Sequence, residues 1–384
     1  MSSGAAGREK PRVLVLLMEP TPYIIPRARY LKQDSELAVD LYFVTANSSQ
    51  PWGEDASGEE LPVLLNASLS PVQRLKKATA VLGRVLRKEY SAVHLAGWGH
   101  WMTRLAILVC RVRRVPFSVE SDTPLGAGVT GWRRSIKDGL YPFWMKWITI
   151  AIPGGSRQAE YFRRYGVPDS RIVISHMTVD TEKIREMKLP GREEFRRGNG
   201  VPSEMVVFLF VGRLLAQKGI DTLLAAFEKA AEKDQNAGLV IVGDGPERAR
   251  VEEARRRLPD RLWAVGRQNH SGVTSWMKSS DVFVLPSRDE NWGLVVNEAM
   301  VCGLPIVISD VCGCVDDLVF EGRNGHIFPV DDIEKLTEAM LSIARCEKAR
   351  RAMGRASETL IEPWTALREA EIFRSTLRRM ASGV

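Results

Sequence analysis

From residue 205 to residue 308 the chain repeats one pattern: a short unbroken apolar run, a glycine- or acid-bearing turn, then a stretch with helical spacing. The runs are 205–211, 239–242, 262–265, 282–285 and 306–308. Helical spacing occupies 220–231, 247–258, 273–278 and 294–301 between them. Strands that are apolar on both sides need cover on both sides, which is the situation of a parallel sheet in an α/β domain. Right-handed crossovers then wind helices onto both faces, giving a doubly wound domain.

The first half follows the same plan less cleanly. Strands are expected at 13–17, 39–44, 92–96, 117–119, 148–152 and 172–174, with a helix at 24–32 and a basic amphipathic helix at 75–88. Residues 46–70 are polar and carry Pro and Gly, so they read as an irregular excursion, and 1–10 read as a loose tail. Pro190-Gly191, Gly198 and Gly200 among charges place a linker at 186–204. A length of 384 residues suits two domains. The expected division is 1–185, then the linker, then 205–363, with a last helix within 364–384 crossing back to the first domain.

Composition narrows the classes. No apolar run approaches the roughly 18 residues of a membrane span. The run 13–18 ends at Glu19-Pro20 and reads as a buried strand, so a cytoplasmic protein is expected. The five cysteines are scattered and contain no Cys-x-x-Cys, which argues against a disulfide framework or a zinc site; Cys312-x-Cys314 has no third ligand nearby in sequence. Net charge is uneven. Residues 1–184 hold 25 Lys/Arg and 17 Asp/Glu, or +8, and residues 185–384 hold 29 and 30, or −1. A basic first half suits an anionic partner such as a membrane surface or a lipid phosphate. No nucleic-acid reader motif accompanies it, so nucleic acid is not the expected partner.

In an open parallel sheet, ligands bind beyond the carboxyl ends of the strands. In the second half those ends carry Gly212-Arg213 with Lys218-Gly219, then Gly243-Asp244-Gly245-Pro246, then Gly266-Arg267. The segment from Pro286 through Glu290-Asn291-Trp292-Gly293 and the pair Ser309-Asp310 complete the set. Glycines admit close backbone approach, helix N-termini offer free N–H groups to phosphate, and Arg213 and Lys218 can neutralise a diphosphate. Glu290 lies in a loop and Glu298 one and a half turns into the following helix, so both can face the same mouth. The set describes a nucleotide-diphosphate site.

These motifs, in this order, resemble the donor domain of family 4 retaining glycosyltransferases. The resemblance runs over about residues 205–345 and rests on Phe210-Val211-Gly212-Arg213 with Lys218-Gly219, Val242-Gly243-Asp244-Gly245-Pro246, the stretch from Glu290 to Met300, Gly303-Leu304-Pro305-Ile306-Val307 and Gly322-Arg323-Asn324-Gly325. It implies a GT-B fold, two Rossmann-like doubly wound parallel-sheet domains facing across a cleft. By the same resemblance Arg213 and Lys218 bind the diphosphate and Glu298 the ribose. Glu290 contacts sugar hydroxyls, Asn291, Trp292 and the Gly293 and Leu294 amides line the donor pocket, and the segment with Arg267 holds the base. The first half resembles the family at Gly154, at Tyr165-Gly166-Val167-Pro168 and at Pro20-Thr21-Pro22-Tyr23, which resembles a subgroup lacking the usual Gly-Gly loop.

Loss of a nucleoside diphosphate builds charge on the β-phosphate, which fixed cations and amides stabilise. No Asp-x-Asp occurs. The expectation is therefore a metal-independent hexosyltransferase without a cofactor, using a UDP- or GDP-sugar and a saccharide or lipid-linked acceptor. The alternatives are a nucleotide-sugar-binding module without transferase activity and a nucleotide-sugar epimerase. Acceptor-side candidates are His94, Trp98 and His100 after one strand and Glu120 and Asp122 after the next. The segment 132–147 mixes Trp, Phe, Tyr, Arg and Lys and reads either as a surface helix on anionic lipid, with Arg133 and Arg134 in contact, or as a core-facing helix.

Overall fold

The computed structural model describes residues 10–45, 62–66, 68–124 and 132–383. The tail, most of the 46–70 excursion and the side chains of Arg133 and Arg134 lie outside the described residues. The chain forms two compact units, Met1–His176 with Ala366–Val384, and Met177–Thr365.

The first unit runs β1 (Arg12–Leu17), α1 (Ile24–Lys32), β2 (Ala38–Thr45), β3 (Val63–Leu65), α2 (Pro71–Leu86), β4 (Ala92–Ala96), α3 (Trp101–Arg113), β5 (Phe117–Ser121), α4 (Trp132–Met145), β6 (Ile150–Pro153) and α5 (Ser156–Arg164). Its six strands are parallel in the order β3-β2-β1-β4-β5-β6. Strand periodicity of two divides β1 between two cores. Leu14 and Leu16 pack with Ala78 and Val81 of α2, Met102 and Ala106 of α3 and Phe162 of α5. Val13, Val15 and Leu17 pack on the opposite face with Ala28 and Leu31 of α1. Local signals set the helix starts. Ser70 and Gln73 form a capping box before α2, with Pro71 at its first position.

The second unit contributes α6 (Thr181–Glu186), α7 (Arg192–Gly198), β7 (Val206–Val211), α8 (Ile220–Lys233), β8 (Ala237–Val242), α9 (Arg248–Arg257), β9 (Leu262–Gly266), α10 (His270–Ser279), β10 (Val282–Leu285), α11 (Leu294–Val301), β11 (Ile306–Ser309), α12 (Val315–Leu318), β12 (Gly325–Phe328), α13 (Ile333–Arg345) and α14 (Glu347–Ile361). Its order is β12-β11-β10-β7-β8-β9, again parallel. Numbered within the unit this is the same 3-2-1-4-5-6 winding as in the first. The last helix, α15 (Ala366–Ala381), belongs to the first unit, where Phe373 and Leu377 complete the core under α1.

Three readings need correction. Residues 172–174 are not a strand; Ile172 makes an isolated bridge to Ala151. Two short edge strands stand outside the expected set: β3, apolar but only three residues long and inside the 46–70 excursion, and β12, four residues with no unbroken apolar run. The segment 186–204 is not a free linker. It carries α7, whose buried Arg196 donates to the Ser279 carbonyl (2.7 Å), the Met205 carbonyl (2.9 Å) and Asp281 (2.6 Å), so burial and a paired charge hold it to the second unit.

Candidate functional site

The strand order of the second sheet reverses between β7 and β10, the position where an open α/β sheet leaves a crevice. The loops after these two strands are clamped together. Gly219 has φ +64°, and a Cβ there would lie 2.1 Å from the Pro286 carbonyl oxygen, so no side chain fits. The Arg288 amide donates to the Gln217 carbonyl at 2.7 Å. The Arg288 guanidinium donates to the Ala216 carbonyl (2.7 Å), to Asp221 at the start of α8 (2.8 Å) and to Asp331 before α13 (2.7 Å). Its hydrogen bond and charge hold the Asp221 carboxyl below the usual range.

The clamp brings Lys218 of the β7 loop onto Glu290 of the β10 loop. The ammonium donates to Glu290 Oε2, and each side chain is 17% exposed. One of three ammonium donors is thereby used, and the second carboxylate oxygen stays available to a hydroxyl donor. Arg213 is exposed and makes no ion pair with a described residue. Gly293, at φ +98°, turns the chain into α11, whose first amides face past the end of β10. Glu298, on α11, is buried with its Oε1 4.0 Å from His270 Nδ1 at the start of α10. Gly212 and Arg267 follow β7 and β9 on the same sheet edge, and Asn291 is exposed in the β10 loop. The loop after β11 supports that loop from behind: the amides of Gly313 and Cys314 donate to the carbonyls of Glu290 (3.0 Å) and Trp292 (3.1 Å).

Trp292 does not line the site. Its ring is buried against Trp364, with centroids 5.8 Å apart, and its N–H donates to Asn297 at 3.0 Å. An indole needs a partner for its N–H when buried, and Asn297, held by the Met177 carbonyl (3.2 Å), supplies it. Leu294 is half-buried at the helix start. Cys312 and Cys314 are buried and form no disulfide, Cys312 lying beside the Ser309 hydroxyl (3.3 Å). Among the described residues no cluster of His, Cys, Asp and Glu is arranged to hold a metal.

In the first unit the acceptor-side candidates meet different fates. His94 is fully buried on β4, its Nδ1 2.9 Å from the Ser118 hydroxyl, its ring edge-on to Phe373 at 5.0 Å. Burial lowers its pKa and keeps it neutral. Glu120 accepts two hydrogen bonds from Arg27 (2.8 and 2.9 Å), which is 2% exposed, stacks over Phe373 (4.2 Å) and donates to Glu369 of α15 at 3.0 Å. Burial works against the Glu120 anion, but the Arg27 charge outweighs it and lowers the pKa; burial raises Glu369 to about 7, only partly offset by Arg27. His94 is thus enclosed, with its Nε2 3.4 Å from Glu120 Oε2, whereas Glu120 is tied to the buried Arg27 with its own side chain 17% exposed. Trp98 stacks on Tyr161 (5.9 Å) within an aromatic group. His100 caps α3 through Nδ1, which accepts from the Met102 amide (3.2 Å), and lines a cavity of about 460 Å³ with Arg74, Leu75 and Trp101. Asp122 is exposed. Arg27, Arg288 and His270 escaped the sequence reading. Arg288 stood next to a recognised motif, but its partners lie 67 and 43 residues away.

Two Rossmann-like units of identical winding, one with cations and a helix N-terminus gathered at its switch point, define a protein of the GT-B fold. The structure of the Anabaena protein HepE in complex with UDP superposes with a TM-score of 0.74 at 16% identity, covering 96% of this chain and 99% of that one. A sucrose-phosphate synthase from Thermosynechococcus elongatus gives 0.72 at 18% identity over 98% and 100%. Residues 191–359, within the second unit, match the family model glycosyl transferases group 1. Among curated relatives, a 2-deoxystreptamine N-acetyl-D-glucosaminyltransferase of Streptomyces fradiae is 31% identical over 59% of this chain, a match that spans only 56% of that relative. A sulfoquinovosyl transferase of Arabidopsis thaliana is 24% identical over 93% of this chain and 72% of its own length.

Proposed function

We propose that this protein is a retaining hexosyltransferase that moves a sugar from a nucleoside diphosphate, UDP or GDP, to a saccharide or lipid-linked acceptor, without a metal ion. The observation that carries the reading is the Lys218–Glu290 pair held at the β7/β10 switch point, with Arg213 on the same loop as the lysine. In this reading Lys218 and Arg213 grip the diphosphate and stabilise the charge that grows on it as the glycosidic bond breaks. Two ammonium donors of Lys218 remain for phosphate oxygens, and the free oxygen of Glu290 accepts from a sugar hydroxyl. The first amides of α11 face the leaving phosphate, Glu298 accepts from the ribose, and the segment with Arg267 meets the base. The leaving phosphate assists removal of the acceptor proton. The UDP held by HepE and the sugar transfer named for the Streptomyces relative support the donor class. No helix among the described residues is long and apolar enough to cross a membrane, and we place the reaction in the cytoplasm.

A thermal-shift screen of UDP-, GDP-, ADP- and TDP-sugars identifies the donor, because a ligand at a hundred times its dissociation constant stabilises by about 2.7 kcal/mol. Release of the nucleoside diphosphate with and without acceptor then measures turnover. Glu290→Gln and Lys218→Ala are expected to lower it by about 10²–10³-fold, and EDTA to leave it unchanged. Binding without release would make the protein a silent sugar-nucleotide module, and an altered sugar with no release would make it an epimerase.

A further inference from the structure

The outer surface of the first unit carries an apolar stripe that its core does not need. On α3 the residues Met102, Ala106, Ile107 and Cys110 face the sheet and are buried. Trp101, Leu105, Leu108 and Val112 recur at i, i+4, i+7 and i+11 on the other side and are exposed, Val112 at 75%. On α2, packed beside it, Val72 and Leu75 are exposed in the same way. The two stripes meet, since Leu75 and Trp101 line one cavity. The surface continues onto α4, where exposed Phe143 packs on Trp147 at 4.8 Å and the Arg111 guanidinium of α3 lies over that indole at 5.9 Å.

The charge on the two helices α2 and α3 has one sign. Helices α2 and α3 together hold seven Lys and Arg and no Asp or Glu. Across residues 66–114 there are ten cations and a single acid, Glu89, which pairs with Arg84 and Arg87 at 2.8 Å each. A second copy of this chain would bring two such cationic faces together, and like charges across an interface oppose association. A surface of anionic headgroups over hydrocarbon satisfies both features at once: it takes the apolar side chains between its headgroups and offers negative charge to the flanking lysines and arginines. We propose that the α2–α3 face is a docking surface for an anionic lipid bilayer, on which the protein lies peripherally.

Co-sedimentation of the full chain with vesicles tests this independently of turnover. Binding is expected to vesicles of phosphatidylcholine mixed with phosphatidylglycerol, weakening with salt, and not to phosphatidylcholine alone. Reversing two cations in Lys76→Glu/Lys77→Glu is expected to lower the partition constant by on the order of 25-fold or more. Removing the stripe in Leu105→Ser/Leu108→Ser/Val112→Ser is expected to abolish binding even at low salt. Thermal unfolding of both variants should match the parent, which separates lost docking from lost folding. Parent-like binding by both folded variants, equal binding to neutral vesicles, or no vesicle binding at all would overturn the proposal. So would a dimer that the Leu105, Leu108 and Val112 changes dissociate, because the stripe would then be covered by a second copy.

Discussion

The two sheets share a winding, and each has an acid paired with a cation near the carboxyl end of a strand: Glu290 after the fourth strand of its unit and Glu120 on the fifth strand of the other. In the second unit Glu290 meets Lys218, and both reach the surface from loops that follow β10 and β7. In the first unit Glu120, at the carboxyl end of β5, meets Arg27, which rises from α1 beneath the sheet edge and is 2% exposed. The strand-end rule therefore locates candidates without saying whether the fold consumes them. What differs is the cation: Lys218, from a loop, is as exposed as its acid, at 17% each, whereas Arg27, from a helix, is 2% exposed under an acid whose side chain is itself 17% exposed.

The largest expected effect tests the buried side. Arg27→Met leaves Glu120 and Glu369 close together and unpaired, and breaking a buried pair from one side costs about 3–5 kcal/mol. Urea unfolding of the full chain measures it. Adding Glu120→Gln and Glu369→Gln to the Arg27 change should recover most of the loss, because the cost lies in the stranded anions. Lys218→Met is the contrast, expected to cost under about 1 kcal/mol of stability. Equal losses for the two single variants would erase the distinction between the regions.

The same comparison explains what the sequence could disclose. The strands of the second unit were legible because four of their apolar runs are buried along nearly their whole length, and the fifth, β9, still shows an unbroken apolar run although only Leu262 of it is buried. The edge strands β3 and β12 were not, since β3 is only three residues long and β12 carries Gly325 and His326 in a four-residue strand. Lys218 and Glu290 were legible as ends of strands, although their direct pairing rests on the Gly219–Pro286 contact. Glu120 stands at a strand end as they stand beyond one, and His94 lies within the run that became β4. Their partners Arg27 and Glu369 come from elements distant in the chain, so no local signal could reveal the cluster. Trp292 sat inside a recognised motif, but its burial depends on Trp364 and Asn297.

Arg288 sharpens the comparison from the open side. It touches no reacting group in the proposed reaction; it positions Lys218 and Glu290 by joining the two loops to Asp221 and Asp331. Arg288→Ala is expected to lower turnover by about 10–100-fold, equivalent to about 1.5–3 kcal/mol. Arg288→Lys should rescue little, because one ammonium cannot span both carboxylates as a fork of five donors does. A merely structural role would instead appear as a fall in melting temperature with kcat and KM intact.

The smallest effect is a change of sign with pH, and it belongs to the buried side alone. Burial raises the Glu369 carboxyl to about 7 in the folded chain, so between its unfolded value, about 4.3, and 7 the folded state binds more protons than the unfolded state. The contribution of Glu369 to stability is thus fully present below the unfolded value and is lost as pH rises through 7. Glu120, lowered by Arg27, runs the other way at more acid pH, and its stabilisation is lost as pH falls below the ordinary carboxylate range. His94, held neutral by burial, also loses stability as pH falls below its ordinary value. Glu369→Gln removes the first contribution while leaving Glu120 and His94 in place. Relative to that variant, the parent should gain about 1–2 kcal/mol on going from about pH 7.5 to about pH 5.5. The gap between the two proteins, read from urea midpoints at the two pH values, is what carries the test. A gap that does not change with pH would mean that Glu369 stays ionised beside Arg27, and that the cluster is a simple triad with two anions rather than one that holds a proton.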